Sequence, residues 1–387
     1  MRYCDSIFGH LLKPISRRWF AGVVARHEAD TYDKSFRSWD HLTLLVFAQF
    51  SGIDSLRGLE AAWNANAHHH YHLGVGEISR STVSDANARR PLAVFSETFA
   101  MLSGVAGRRS KREGEGLLSL IDSSPIPLGK LVDWAKWNGR IRGLKLHVVY
   151  EPACDNPTHI EITDANINDM EIGEQFPIKP GFTHVFDKGY CKYRWWTAIH
   201  EADATFVTRQ KTTSRFRAIS WRKLRKRRGD GFRIVDDADV KFVSKGDSTL
   251  AIPMRRIRVR RHDDSKITLV TNDMERSAVE IAGFYKARWQ IELLFRWIKQ
   301  HLQIRNFIGR NPNAIRLQVV AAMIAFILLR LAARENLVKI PIIRFAGLLA
   351  ARLFMRATIA QIDKPPDAHP SRPTPKHSPD QMKFCYA

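Results

Sequence analysis

The stretch from Tyr285 to Lys299 constrains the fold more tightly than any other part of the chain. Tyr285, Glu292 and Lys299 recur at intervals of seven, and Arg288 follows the tyrosine by three. On one helix, at ~100° per residue, these four side chains fall within an arc of roughly 60°. Phe284, Ala287, Ile291, Leu294 and Ile298 gather on a neighbouring face, giving the apolar stripe that a core-facing helix needs. The pattern predicts a helix over 278–303, with one acid set among a phenol, a guanidinium and an ammonium beside a buried seam. A carboxylate able to hold a metal, flanked by groups that grip phosphate, suits phosphodiester chemistry. The competing reading is a plain surface helix with an Arg288–Glu292 ion pair at i,i+4.

Charge favours the first reading. Lys and Arg number 61 against 39 Asp and Glu, a formal charge of +22 in a chain of 387 residues. A surplus of that size calls for a polyanionic partner, either nucleic acid or an anionic membrane. The longest apolar run, Val319 to Leu329, is well short of the ~20 residues that span a bilayer. Met1 to Ile15 has neither the apolar stretch nor the cleavage site of a secretory signal. Double-stranded DNA is the expected partner, no membrane is expected, and a cytoplasmic location follows. Cys4, Cys154, Cys191 and Cys385 fit no zinc spacing and are expected to be reduced thiols. His68, His69, His70 and His72 are adjacent on an expected solvated loop, where side chains rarely converge on one ion.

The first hundred residues read as helical. Ser38 is placed to cap a helix to Phe50, Asp54 or Ser55 a second to Trp63, and Ser79 a third. The set fits a helix-turn-helix-like DNA reader and an ordinary helical bundle equally. A Gly, Lys, Arg and Glu-rich segment from Gly104 to Gly116 reads as a linker. Strands are expected at Leu117–Ile121, Leu144–Tyr150, Thr158–Thr163, Thr183–Phe186 and Ala204–Thr208, with a helix over Arg194–Ala202, in a mixed α/β order. Arg209 to Arg228 then holds ten Lys or Arg and no acid. Arg256, Arg258 and Arg260 alternate with Ile257 and Val259, which sets three guanidiniums on one face of a strand; this basic insert is expected to face DNA. A nearly all-apolar helix from Asn313 to Glu335 should be buried against the sheet or the 278–303 helix. The proline-rich end from Lys364 reads as a disordered tail.

Asp122 follows the apolar run Leu117–Ile121, and Asp187 follows Thr183–Phe186. Strand ends lie at the rim of a sheet, where open α/β folds keep their sites. If the two strands are neighbours, their carboxylates converge and Glu292 approaches from the packed helix. Three carboxylates repel unless cations neutralise them, and two Mg²⁺ (or Mn²⁺) ions ~4 Å apart would do so. The plainer alternative makes each aspartate a turn or cap residue. Asp133, Asp155, Asp164 and Asp169 sit in such contexts and are left out of the site.

The spacing Tyr285, Arg288, Glu292, Lys299, with Trp289 and Ile291 inside it, resembles the signature of DDE insertion-sequence transposases of the IS-four family. Asp122-Ser123-Ser124 and Asp187-Lys188-Gly189-Tyr190 look like that family's blocks around its first and second catalytic acids. The resemblance spans roughly residues 117–304. It implies an α/β fold: an RNase H-like mixed sheet with flanking helices, interrupted by a β-rich insertion and preceded by an N-terminal helical domain. The corresponding boundaries are 1–106 for the helical domain, 107–209 and 268–360 for the two catalytic parts, 210–267 for the insertion and 361–387 for the tail.

The resemblance makes Asp122, Asp187 and Glu292 the catalytic and metal-holding residues, with two Mg²⁺ or Mn²⁺ ions. It assigns Tyr285, Arg288 and Lys299 to DNA phosphates and makes Trp289 or Trp221 a platform for a flipped base. The implied activity is cut-and-paste transposition: terminal inverted repeats are bound, their ends cleaved, and the 3′-hydroxyls joined to target DNA. A homodimer in a synaptic complex and a prokaryotic, nucleoid-associated location come with it. Two rival readings stand beside this one. The first is a catalytically inactive DNA-binding repressor derived from a transposase, and the second is an RNase H-like nuclease without strand transfer.

Overall fold

Capping serines and short apolar faces divide the N-terminal region into helices α1 (Ile7–Leu12), α2 (Arg17–Arg26), α3 (Ser38–Ser51), α4 (Leu56–Asn64), α5 (His70–Leu73), α6 (Arg80–Arg89) and α7 (Leu92–Arg112). The computed structural model describes residues 5–112, 117–129, 132–224, 226–243, 250–302 and 307–362. The predicted tail from Lys364 therefore lies outside the described residues. Ser16, Ser55 and Ser79 each accept a hydrogen bond from the backbone N–H three residues on, satisfying one of the orphan donors of a helix start. Ser38 is not a cap. It opens α3, donates its hydroxyl to Asp30 at 2.6 Å and accepts from the buried Arg90 at 2.7 Å.

Two other expectations fail in this region. The histidine run is not a solvated loop: His70 is buried and stacked on Trp63 at 4.5 Å, and His69 stacks on Phe354 at 5.3 Å. The segment expected as a linker from Gly104 is helical as far as Arg112, because α7 continues through Gly104 and Gly107, and residues 113–116 lie outside the described residues. Val94, Phe95, Phe99, Leu102 and Ala106 keep its buried face at helical spacing, which outweighs the ~1 kcal/mol that each glycine costs a helix.

The sheet follows, as β1 (Leu118–Pro127), β2 (Gly143–Glu151), β3 (Asn156–Asp164), α8 (Asp169–Gly173), β4 (Thr183–Phe186), α9 (Tyr193–Glu201) and β5 (Thr205–Arg209). The order β3-β2-β1-β4-β5, with β1, β2 and β3 antiparallel and β1, β4 and β5 parallel, is the mixed RNase H-like sheet expected. The insertion does not leave this sheet. Its strands β6 (Arg215–Trp221), β7 (Arg228–Gly229), β8 (Phe232–Val243) and β9 (Met254–Arg261) return through β10 (Lys266–Thr271), which pairs with β5, so ten strands form one sheet. One face of the sheet carries α8 and α9, with Trp195, Trp196 and Ile199 packed on Phe186 and Phe206. The other face carries Leu120, Val185, Val207, Ile257 and Leu269 under the later helices.

Those helices are α10 (Ala278–Ala287), α11 (Trp289–His301), α12 (Pro312–Glu335) and α13 (Ile342–Ala351). The single helix predicted over 278–303 is broken at Arg288. There the backbone tightens to i,i+3 bonds from Arg288 N–H to the Tyr285 carbonyl and from Ile291 N–H to the Arg288 carbonyl. α12 is long and apolar enough to cross a bilayer, although no unbroken apolar run in the sequence is, and 89% of its most apolar window is buried inside the protein. Its cover is mainly α7, α3 and α6 with β3, and it meets α11 through Trp297 on Phe326. The N-terminal helices and the sheet thus share one core.

Buried charge locks the insertion to the helix pair. Arg255, 3% exposed, donates to both carboxylate oxygens of Asp237 on β8, at 2.8 and 2.7 Å, and to the backbone oxygens of Asp273 and Arg276 just before α10. Arg255→Ala would leave Asp237 buried and unpaired, and is expected to cost about 3–5 kcal/mol in urea unfolding. Arg258→Ala, at a half-exposed ion pair, should cost less than about 1 kcal/mol. The fold also opposes protonation of His41, which is buried between Asn87 and Phe95 and has its pKa pushed down to about 3 by burial and by Arg90. Below the ordinary histidine value the unfolded chain takes up a proton that folded His41 refuses. His41 should therefore contribute a loss of about 2 kcal/mol of stability from pH 6.5 to 5, and His41→Gln should remove that part of the slope in urea titrations.

Candidate active site

Side chains alternate across a strand, so residues that share the phase of Leu120 on β1 and of Val185 on β4 point to the face covered by α10 and α11. Leu120 lies opposite Val185 and Ile121 opposite Phe186 in parallel register. The next step of that register sets Asp122 beside Asp187 on this face, on strands ~4.8 Å apart. Asp122 does not end its strand, as the sequence suggested. β1 stays paired with β2 as far as Pro127, but its pairing with β4 stops at Ile121, which leaves the β4 side open at Asp122. Asp187 does end β4.

The helix joint supplies the remaining groups. Arg288 donates Nη1 to Asp122 Oδ2 at 3.0 Å and Nη2 to Glu292 Oε1, so one guanidinium bridges the first and third acids. Tyr285 is buried and donates its hydroxyl to Asp187 Oδ1 at 3.2 Å. Burial raises the Asp122 carboxyl to about 6; the Ser123 N–H and Arg288 pull it down, and Asp187 and Glu292 push it up. Burial likewise pushes the Tyr285 phenol up to about 12, aided by Asp187. Burial opposes the charge on Arg288, yet Tyr285, Asp122 and Glu292 together hold its pKa above the ordinary value.

The three acids therefore face one another. Among the described residues, however, no three carboxylate, histidine or cysteine side chains are drawn close enough to hold one ion as they stand. Arg288 lies between Asp122 and Glu292 and bridges them. The donor set nevertheless fits hard divalent cations: it is all oxygen, sits in a half-buried place, and already recruits a positive group to offset its charge.

The predicted DNA-contacting residues divide between the two sides of the sheet. Trp289, 51% exposed, opens α11 beside Arg288, with the Arg296 guanidinium 5.5 Å from its ring. Lys299 is half-buried on the same helix, two turns beyond Glu292 or about 10 Å along the axis. Arg256, Arg258 and Arg260 lie on the opposite face. Ile257 and Val259 between them enter the core that includes Tyr285, whereas Ala238 and Val270, the cross-strand partners of Arg256, belong to the other core. Asp236 accepts from Arg258 at 2.5 Å and lies 3.6 Å from Arg256, so the stripe is partly neutralised. Trp221 shares that far face, with Arg256 5.5 Å from its ring. The insertion reaches the helix joint instead through Phe232, Arg261 and His262, which line a cavity of about 420 Å³ with Tyr285, Arg288 and Trp289.

Two groups near the acids went unnoticed in the sequence. Arg209 ends β5 one register step past Thr208, which faces Phe186; this brings it beside Asp187, where it acts on Tyr285. Its signal was present, since it follows an apolar strand just as the two aspartates do. Asp169, set aside as a turn residue, accepts from Ser123 Oγ and Lys145 Nζ, each at 2.9 Å, and braces β1 behind Asp122. Only the fold brings those three together.

Comparison with known proteins identifies the family. Residues 113–328 match the family model described as a transposase DDE domain, and residues 3–76 match a domain of unknown function. The chain is 57% identical over 304 residues to "Putative transposase y4zB" of Sinorhizobium fredii, covering 79% of this chain and 85% of that protein. It is 28% identical over 261 residues to "Probable transposase for insertion sequence element IS5377" of Geobacillus stearothermophilus, covering 66% and 68%. Among solved structures, the piggyBac transposase synaptic complex with hairpin DNA aligns with 98% of this chain and 87% of its own at a TM-score of 0.47 and 9% identity.

Proposed function

Because the chain belongs to the DDE transposase family, we propose that it performs cut-and-paste transposition, with Asp122, Asp187 and Glu292 as its catalytic acids. It would bind the terminal inverted repeats of an insertion sequence, cleave at their ends and join the freed 3′-hydroxyls to target DNA, as a homodimer that pairs two ends. The observation that carries this reading is the register that sets Asp122 beside Asp187, with Glu292 joined to Asp122 through Arg288.

In the first step water attacks the phosphorus at a transposon end; the P–O3′ bond breaks and a 3′-hydroxyl is left. In the second, that hydroxyl attacks a target phosphorus and a P–O3′ bond of the target breaks, so the number of phosphodiester bonds is conserved. Divalent ions, Mg²⁺ or Mn²⁺ and two in number, would when bound neutralise the carboxylates and polarise the attacking and leaving oxygens. Asp122, Asp187 and Glu292 would hold them. Tyr285 keeps Asp187 in one orientation through its hydroxyl. Trp289 offers an exposed ring face to an unstacked base, whereas Trp221 lies on the wrong side of the sheet to do so. Lys299 and Arg209 place positive charge where the phosphates flanking the cut would run. The Arg256, Arg258 and Arg260 stripe would touch a separate length of duplex passing over the far face.

Asp122→Asn, Asp187→Asn and Glu292→Gln should each reduce Mg²⁺-dependent cleavage of end-bearing duplex by roughly three orders of magnitude or more, with duplex binding in metal-free buffer near wild type. Cleavage retained by any one of them removes that residue from the site. Wild-type protein unable to nick duplex DNA would favour the repressor reading, and preferential cutting of an RNA–DNA hybrid would favour the nuclease. Lys299→Ala should reduce the salt dependence of end binding by about one unit of slope, because each phosphate contact releases a counterion. An unchanged slope in electrophoretic binding at several salt concentrations would take Lys299 off the phosphates.

A further inference from the structure

We propose that Arg288 is a latch: without DNA its guanidinium closes Asp122 onto Glu292 in place of a divalent cation, and it releases them when a DNA phosphate arrives to take it. The inference rests on the reading of the three acids as metal ligands.

Three observations lead to it. Arg288 gives its two terminal nitrogens to two different acids, at the oxygens a metal would need. A guanidinium and a divalent ion cannot share that space, so the two are competitors. Asp187, in contrast, is held by Tyr285, and release of the arginine leaves it in position.

The arginine also has somewhere to go. It sits at the joint between α10 and α11, where a turn of its side chain disturbs neither helix. The cavity of about 420 Å³ beside it is lined by Arg261, by Lys286 (paired with Asp230), and by Asp263 and Trp289. A DNA phosphate drawn to these cations would offer the guanidinium the same two-pronged acceptor geometry as a carboxylate and the same single negative charge. DNA binding would thereby open the acids to metal, and by reciprocity metal would strengthen DNA binding. An enzyme built this way keeps its hydrolytic centre closed until a substrate is in place.

The test is a Mn²⁺ titration of the full-length protein, followed by electron paramagnetic resonance of free Mn²⁺, with and without a short duplex. Arg288→Gln should bind Mn²⁺ on the order of tenfold tighter than wild type in the absence of DNA, a typical size for coupled binding. Arg288→Lys decides the matter. It keeps the charge but loses the planar fork whose two nitrogens each take one carboxylate, so the latch predicts tighter Mn²⁺ binding here also, whereas simple charge repulsion predicts none. The duplex should tighten Mn²⁺ binding to wild type and leave Arg288→Gln unmoved. Wild-type affinity in Arg288→Lys, or in Arg288→Gln, overturns the latch while leaving the acids as ligands. Unchanged Mn²⁺ binding in Asp122→Asn is the separate result that removes the metal site, and the latch with it. Circular dichroism shows which variants are folded, and Arg288→Lys carries the decision if the glutamine variant is not.

Discussion

Two parallel strands held in register cannot set carboxylates side by side on one face without something to offset their repulsion. That constraint organises the centre of this molecule. Asp122 and Asp187 are neighbours because β1 and β4 pair through Ile121 and Phe186. Burial beneath α10 and α11 makes the ionised form of Asp122 harder to keep. Arg288 and Tyr285 answer the two acids separately, one with charge and one with a hydroxyl, and Glu292 shares the arginine. The break between α10 and α11 lies where that arginine enters.

The rest of the fold holds the helix joint over the strand ends. Arg255 on β9 grips β8 on one side and the turn between β10 and α10 on the other, and with β10 paired to β5 it makes the insertion a rigid extension of the catalytic sheet. Asp169 and Lys145 brace β1 from behind. Little in this arrangement is left to a flexible loop, which suits a site whose parts must meet within a fraction of an ångström.

Much of this was legible in the sequence because apolar runs reveal strands and the acids stand directly after them. The family signature added the order of the three blocks and the RNase H-like sheet. Other features were hidden for identifiable reasons. Asp122 read as a strand end because aspartate is a poor strand former; only the differing lengths of its two pairings make it mid-strand on one side and terminal on the other. Tyr285 read as part of a polar face because one straight helix was assumed, and the break at Arg288 turns its ring into the core. The arginine stripe was read correctly in phase, but a strand's period does not say which face of the sheet meets DNA. That same phase put Arg255 with Ile257 and Val259, so a buried arginine was there to be noticed. Asp169, Ser123 and Lys145 come from three separate elements, and no spacing could have joined them.

α12 carries a consequence for how such chains can diversify. It is the hub of the shared interior, yet it lies after the Glu292 helix in sequence while its cover comes from the opening helices α3, α6 and α7. The N-terminal helices and the later part of the chain are thus mutually dependent halves of one body. A natural or engineered chimaera that exchanged the leading helices for a foreign domain would strip a membrane-grade hydrophobic rod bare. Surface substitutions on the existing helices are therefore better tolerated than module exchange.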